Sequence, residues 1–266
     1  YLLIEPTSVC NLRCVMCFQV DRTFTKKEFM GRMPWEMFER VVDQAKAGGT
    51  QAITLASRGE PTLHPQFGKM LRYLSDKSFL DVKINTNATR LTEALIHDVL
   101  GAGVNEVVFS VDAGTKDTYE SIRVNGKFES VVSNIEMLND IRAKKYPNSP
   151  TVTRISGVKV RDDQDEKQMS EFWSERVDQV TIKRATPRWD SYNNALMDTG
   201  HPCSMLLDRM YVWYDCKVNP CDFDYKSNLC VGDVNTTPIE KIWLGEPYQK
   251  LREDHLNKRR KAHNPC

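Results

Sequence analysis

The segment Tyr1-Leu-Leu-Ile-Glu-Pro-Thr-Ser-Val-Cys10-Asn-Leu-Arg-Cys14-Val-Met-Cys17 decides how this chain is read. A short β-prone run, Leu2 to Glu5, leads into a loop whose three cysteines are spaced CxxxCxxC. Three thiols from one short stretch form a metal-ligand pattern. Zinc sites usually want four protein ligands. A [4Fe-4S] cubane held by three cysteines keeps one iron with open positions, and that iron can bind a chelating molecule.

Outward from this loop, β-prone runs alternate with helical stretches. The runs are Leu2 to Glu5, Ala52 to Leu55, Val82 to Asn85, Glu106 to Val111, Val152 to Val158 and Gln179 to Ile182. Helices are predicted over Pro34 to Lys46, Gln66 to Asp76, Thr92 to Leu100, Thr115 to Ala143 (broken near Gly126) and Gln164 to Arg176. Six βα units imply parallel strands with right-handed crossovers. Six units are too few for an eight-unit barrel, so an open (β/α)6 TIM-like partial barrel is expected, its ligands at the C-terminal strand ends. The motifs of this region all fall just after a strand and should gather on one face.

The eight cysteines are segregated: three lie in the first 17 residues and five in the last 64. That clustering suits two metal sites better than a disulfide framework, which small secreted domains need and a chain of 266 residues does not. Beyond about Asn193 the alternation stops. Met210 to Tyr214 reads as a strand, Asp215 to Pro220 as a turn, and Thr237 to Trp243 and Glu246 to Leu256 as short helices. The predicted division is a barrel over 1–192 and a small metal-held domain over 193–266. Lys and Arg number 37 against 36 Asp and Glu, which excludes a general electrostatic grip on nucleic acid. The basic run Lys258-Arg259-Arg260-Lys261 reads as a solvated face. No apolar run is long enough to span a membrane, and no signal-peptide pattern opens the sequence. A reducing cytoplasm is the compartment expected where cysteines hold oxygen-labile iron–sulfur clusters.

The CxxxCxxC spacing resembles the signature of the radical S-adenosylmethionine (SAM) enzymes. Further segments resemble that family at matching places. Arg58-Gly59-Glu60-Pro61 is similar to its GGEP motif, with Arg58 standing where the family has its first Gly. Asn85-Thr86-Asn87, Ser110-Val-Asp112 and Tyr119-Glu-Ser-Ile-Arg123 resemble its other active-site segments. The resemblance implies that Cys10, Cys14 and Cys17 hold a [4Fe-4S] cluster. It implies that Met16, Gly59, Glu60, Asn87, Ser110 and Arg123 meet SAM, Glu60 at the amino group and Arg123 at the carboxylate. Reduction by a donor such as flavodoxin or ferredoxin would cleave SAM to methionine and a 5′-deoxyadenosyl radical, which abstracts hydrogen from the substrate.

The C-terminal block Asp215-Cys-Lys-Val-Asn-Pro-Cys221 resembles the turn of the SPASM and twitch extensions of these enzymes. The resemblance implies an auxiliary [4Fe-4S] cluster on Cys203, Cys221 and Cys266, in the single-cluster twitch form. A fourth ligand is left open between Cys216, Cys230 and a position beyond 266; structural zinc is the alternative reading. The expected reaction is a dehydrogenase-like oxidation of a small sugar- or cyclitol-like substrate. A redox-neutral epimerase using a cysteine as hydrogen donor and a peptide-modifying maturase are the alternatives. Asp112 and Arg184 are the candidate catalytic residues, and Arg188, Trp189 and Asp190 the candidate substrate contacts. His64 reads as structural.

Overall fold

The computed structural model describes residues 1–56, 58–186, 190–193 and 201–266. Its strands are β1 (Leu2–Ile4), β2 (Arg13–Cys14), β3 (Ala52–Leu55), β4 (Asp81–Thr86), β5 (Glu106–Ser110), β6 (Arg123–Val124), β7 (Val152–Lys159), β8 (Gln179–Arg184), β9 (Met210–Val212), β10 (Lys217–Asn219) and β11 (Gly232–Asp233). Its α-helices are α1 (Trp35–Ala47), α2 (Phe67–Asp76), α3 (Glu93–Gly101), α4 (Lys116–Ile122), α5 (Phe128–Lys145), α6 (Glu166–Ser174), α7 (Met205–Asp208), α8 (Ile239–Leu244) and α9 (Glu246–Leu256).

Strand alternation builds the layers. Ile4, Ile53, Leu55, Val82, Ile84, Val107, Phe109 and Ile155 point to one face and are buried in the main core. The helices cover that face. Phe38, Val41, Val42 and Ala45 of α1, and Phe67, Met70, Leu71 and Leu74 of α2, supply matching stripes at i, i+3, i+4 and i+7. Side chains of the opposite parity face the barrel interior and are largely polar. Lys83 and Arg154 both pair with Glu106 there, while Asn85, Ser110 and Ser156 line a cavity.

The sheet order is β11-β10-β9-β1-β3-β4-β5-β7-β8. The six predicted strands are all present and parallel, with β1 joined to β3 in the register Leu3↔Thr54 and β7 to β8 in the register Ser156↔Thr181. A seventh parallel strand, β9, adds to the other edge of β1 with Leu3↔Tyr211. The C-terminal part therefore continues the barrel sheet. The turn predicted over Asp215 to Pro220 is shorter than expected. Lys217–Asn219 instead forms β10, antiparallel to β9, because Val218 pairs with Val212 and is buried. The turn is confined to the stretch closed by Cys216 N donating to Trp213 O at 2.8 Å.

Helix boundaries follow local chemistry. Thr92 caps α3 by accepting from Leu95 N, and Asp165 caps α6 by accepting from Gln168 N. The break near Gly126 separates α4 from α5. Asn125 takes φ +73°, and a Cβ at Gly126 would lie 2.8 Å from Arg123 O, so the helix cannot run through. The two residues of β6 fill this break and pair antiparallel with β2, setting Arg123 opposite Cys14. A helix interruption thus delivers a basic side chain to the cysteine loop.

Candidate functional site

At the C-terminal ends of the parallel strands lies a cavity of about 410 Å³. Its wall includes Cys10, Cys14, Met16, Cys17, Gly59, Glu60, Asn87, Ser110, Asp112, Arg123 and Arg184. The loops after β1, β3, β4, β5 and β8 and the α4–α5 break each contribute, as expected for this kind of barrel. The size suits a small-molecule ligand.

The three cysteines ring one side. Leu12 N donates to Cys10 Sγ at 3.4 Å, and Gln19 N to Cys17 Sγ at 3.5 Å. Burial pushes the Cys10 thiol up to about 12, against the pull of the Leu12 amide. Burial also raises Cys14, although the Arg123 guanidinium, 3.8 Å from its sulfur, works the other way. Binding of iron would therefore release protons from these thiols. Asn87 Nδ2 donates to Asn11 Oδ1 at 3.0 Å and lies 4.0 Å from Cys10 Sγ, which ties the end of β4 to the cysteine loop.

Glu60 is 2% exposed and accepts four hydrogen bonds, from Thr62 N, Thr62 Oγ1, Thr86 Oγ1 and Asn87 N. Burial pushes its carboxyl above the usual range, partly offset by these donors. Unlike the neighbouring acids Glu5 and Asp112, it has no basic side chain within ion-pair distance among the described residues. A buried carboxylate of this kind matches a ligand ammonium group. Gly59 is required beside it: a Cβ there would lie 2.3 Å from Thr7 O and 2.6 Å from Val9 O. The Arg58 peptide is held in turn by Gln19, whose Nε2 donates to Arg58 O at 2.6 Å.

Arg123 Nε donates to Asp112 Oδ2 at 2.6 Å, with Asp112 wholly buried. The second oxygen, Asp112 Oδ1, accepts from Val158 N at 2.8 Å. Trp173 of α6 locks the same loop by donating from Nε1 to Ala113 O at 2.8 Å. Both oxygens of Asp112 are thus engaged. The side chain expected to be catalytic sits here as the group that orients Arg123. His64 is buried between two backbone groups: Nε2 lies 3.0 Å from Met33 O, and Nδ1 accepts from Gln66 N. That is a structural histidine.

The C-terminal cysteines divide into two kinds. Cys203, Cys221 and Cys266 are partly exposed. Cys203 N donates to His255 Nδ1 at 3.2 Å, and Cys266 lies close enough to Cys203 for the two thiols to interact electrostatically. Asp222, next to Cys221, lines the main cavity. Cys216 instead has φ +69° at the place where the resembling turn has Gly, and its side chain is buried in the core. Cys230 is exposed and lies 3.2 Å from Gly232 O. None of the five C-terminal cysteines is itself in the cavity wall, which reaches this domain at Asp222.

Of the candidate substrate contacts, Arg188 and Trp189 lie outside the described residues. Asp190 accepts from Asn193 Nδ2 at 2.6 Å and is not part of the cavity wall. The sequence reading missed Gln19 and Asp222, which do contribute to that wall, as does Lys183 at the start of the segment after the sixth strand. It also missed Asn85 as an individual residue, although its buried Oδ1 has no hydrogen-bond partner among the described residues and its side chain faces the same space. Among the described residues no three His, Cys, Asp or Glu side chains converge on one metal ion. Thiolates that bind separate irons of a cubane need no such convergence. The three thiols, the buried Glu60 carboxyl and the oriented Arg123 fit a cluster and SAM together.

Comparison with known proteins agrees with this geometry. Residues 4–172 match the family model of the radical SAM superfamily, and residues 203–266 match that of the SPASM iron-sulfur cluster-binding domain. The tungsten-containing aldehyde ferredoxin oxidoreductase cofactor-modifying protein of Pyrococcus furiosus is 38% identical over 113 residues, 42% of this chain and 30% of that protein. GTP 3′,8-cyclase of Desulforamulus reducens is 30% identical over 159 residues, 59% of this chain and 47% of that protein. The matched stretch spans less than half the length of these relatives. Among solved structures, BtrN in complex with AdoMet and 2-DOIA aligns over 100% of this chain and 90% of its own, with TM-score 0.66 and 16% identity. SuiB of Streptococcus suis bound to its precursor peptide SuiA aligns over 94% of this chain and 66% of its own, with TM-score 0.74 and 15% identity. These structures share the fold. SAM and iron–sulfur clusters are accordingly the cofactors, and no helix among the described residues is long and apolar enough to cross a membrane. The chain belongs to the radical SAM superfamily and carries a SPASM iron–sulfur cluster-binding domain at its C-terminal end.

Proposed function

We propose that this chain is a cytoplasmic radical SAM oxidoreductase that removes hydrogen from a carbon of a small sugar- or cyclitol-like substrate and completes a two-electron oxidation. When bound, SAM and the two clusters supply the hydrogen-abstracting radical and an acceptor for the electron left on the substrate. In this reading residues 1–192 carry the first cluster on Cys10, Cys14 and Cys17. Residues 193–266 carry a single twitch-type cluster on Cys203, Cys221 and Cys266. Glu60 receives the SAM ammonium. Arg123, oriented by Asp112, receives the carboxylate. Met16, Asn87 and Ser110 border the adenosyl part, while Arg184, Lys183 and Asp222 meet substrate hydroxyls. A flavodoxin or ferredoxin supplies the electron that starts the reaction.

The observation that carries this reading is one continuous cavity that contains the first three cysteines and reaches Asp222 beside Cys221. A substrate held there would lie between the two cluster sites. An epimerase needs a thiol within reach of the substrate radical, and Cys216 and Cys230 both lie away from the cavity wall. The test is anaerobic turnover with SAM and reductant on a panel of cyclitols and sugars. Loss of two hydrogens from the product, with no solvent deuterium retained on carbon, is expected. Solvent deuterium in an unoxidised product would replace this reading with the epimerase, and modification of peptides alone would replace it with the maturase.

A further inference from the structure

The loop that carries Gly59 and Glu60 rests on an ion pair that the proposed chemistry does not use. Arg58 and Glu5 are buried together, their side chains 2% and 0% exposed. Arg58 Nη2 donates to Glu5 Oε1 at 2.6 Å, and Arg58 Nε to Glu5 Oε2 at 2.8 Å. The backbone N of Arg58 donates to the same Oε2 at 2.9 Å. Glu5 Oε1 also accepts from Tyr214 N at 3.2 Å. The third guanidinium nitrogen, Nη1, donates to Tyr225 O at 2.9 Å, and the guanidinium carbon sits 4.5 Å from the centre of the Trp213 ring. One end of this residue is therefore anchored in the SPASM domain. Its peptide is pinned at the other end to the cysteine loop through Gln19. A second tie runs parallel to it: Phe18, next to Cys17, stacks on Tyr225 at 4.9 Å, and Tyr225 OH donates to Asp21 Oδ2 at 2.9 Å.

We propose that Arg58 is a positioning residue that couples the SPASM domain to the SAM-binding loop. Its side chain reads the place of the Trp213–Tyr225 stretch, and its backbone fixes the peptide that leads into Gly59 and Glu60. This explains an arginine where the family's turn has glycine. The planar guanidinium serves Glu5 and Tyr225 at once, whereas a lysine ammonium offers one point charge and cannot fork to both. The proposal rests on the assignment of the Glu60 loop to SAM.

The test is a double-mutant cycle on cluster-loaded protein with Arg58→Lys, Cys221→Ala and both together. SAM binding is measured by anaerobic equilibrium dialysis. The change in the electron paramagnetic resonance signal of the reduced first cluster on SAM addition is recorded alongside, with melting temperature as the stability readout. Arg58→Lys should weaken SAM binding about tenfold and blunt the spectral change. Cys221→Ala should weaken binding too, and the double variant should be no weaker than Arg58→Lys alone. Wild-type SAM affinity in a folded Arg58→Lys, or losses that multiply in the double variant, would overturn the coupling and leave Arg58 a purely structural residue. If Arg58→Lys fails to fold, the neutral pair Glu5→Gln/Arg58→Gln, which leaves no unpaired buried charge, is judged by the same criterion. A wild type that binds no SAM would overturn the loop assignment and the coupling with it.

Discussion

Asp112→Asn tests whether the barrel positions Arg123 through a buried charge. The wild-type carboxylate is fully buried, Arg123 is 10% exposed, and the Nε–Oδ2 distance is 2.6 Å. The substitution strands a guanidinium in a nearly dry wall and turns one of the two acceptors into a donor, facing either Arg123 Nε or Val158 N. Breaking a buried ion pair from one side costs about 3–5 kcal/mol. At about 2–4 °C per kcal/mol for a chain near this length, the apo protein should melt about 10 °C lower. The assay is a thermal scan at neutral pH with two controls. Asp140→Asn, which breaks a pair with both side chains 70% exposed, should leave the melting temperature essentially unchanged. Asp112→Asn/Arg123→Met removes the stranded charge and should recover part of the loss, yet still fail to bind SAM. An Asp112→Asn protein melting within about 2 °C of wild type would refute the argument, because a cost of several kcal/mol cannot hide in so small a shift.

Gly59→Ala places a Cβ against the backbone oxygens of Thr7 and Val9, so the loop must move; SAM affinity measured by anaerobic titration should fall at least tenfold. Trp173→Ala removes a fully buried ring and the hydrogen bond to Ala113 O, and should cost about 3–5 kcal/mol in a denaturant melt. Burial holds His64 below its ordinary value, so its folded form prefers the neutral ring. Its contribution is therefore present above about pH 6.5 and lost as the pH falls below it; His64→Gln should flatten that acid-side slope in melts taken across this window. Cys216→Ala and Cys230→Ala should each leave the iron content unchanged, because the Cys216 side chain is buried in the core and the Cys230 thiol donates to Gly232 O at 3.2 Å.

The barrel was legible because its signals are local. Short β-prone runs marked β3 to β5, the Pro34 start and the Gly48-Gly49 stop marked α1, and Gly126 marked the break that carries Arg123. Site residues tied to a short spacing, Cys10, Cys14 and Cys17 above all, were legible for the same reason. What stayed hidden depends on contacts far apart in sequence. Glu5 looked like the polar end of a strand, and Arg58 like a lapse in a motif; their pairing across 53 positions gives both a reason. The addition of β9 to the edge of β1 joins residues about 200 positions apart, and β9 alone predicts no partner. Asp222 was passed over because the reading of its turn stopped at Cys221. A charged residue ending the apolar run Leu2-Leu-Ile-Glu5 was the one available signal for the buried pair.

The central claim, two iron–sulfur cluster sites in one chain, is tested most directly by anaerobic iron and sulfide analysis with Mössbauer spectra. Wild type is compared with Cys10→Ala/Cys14→Ala/Cys17→Ala. The account predicts about eight irons per wild-type chain, in two cubanes, falling to about four in the variant. About four irons in wild type and none in the variant would contradict it, because the SPASM cysteines would then hold no cluster and the proposed oxidation would lose its electron acceptor.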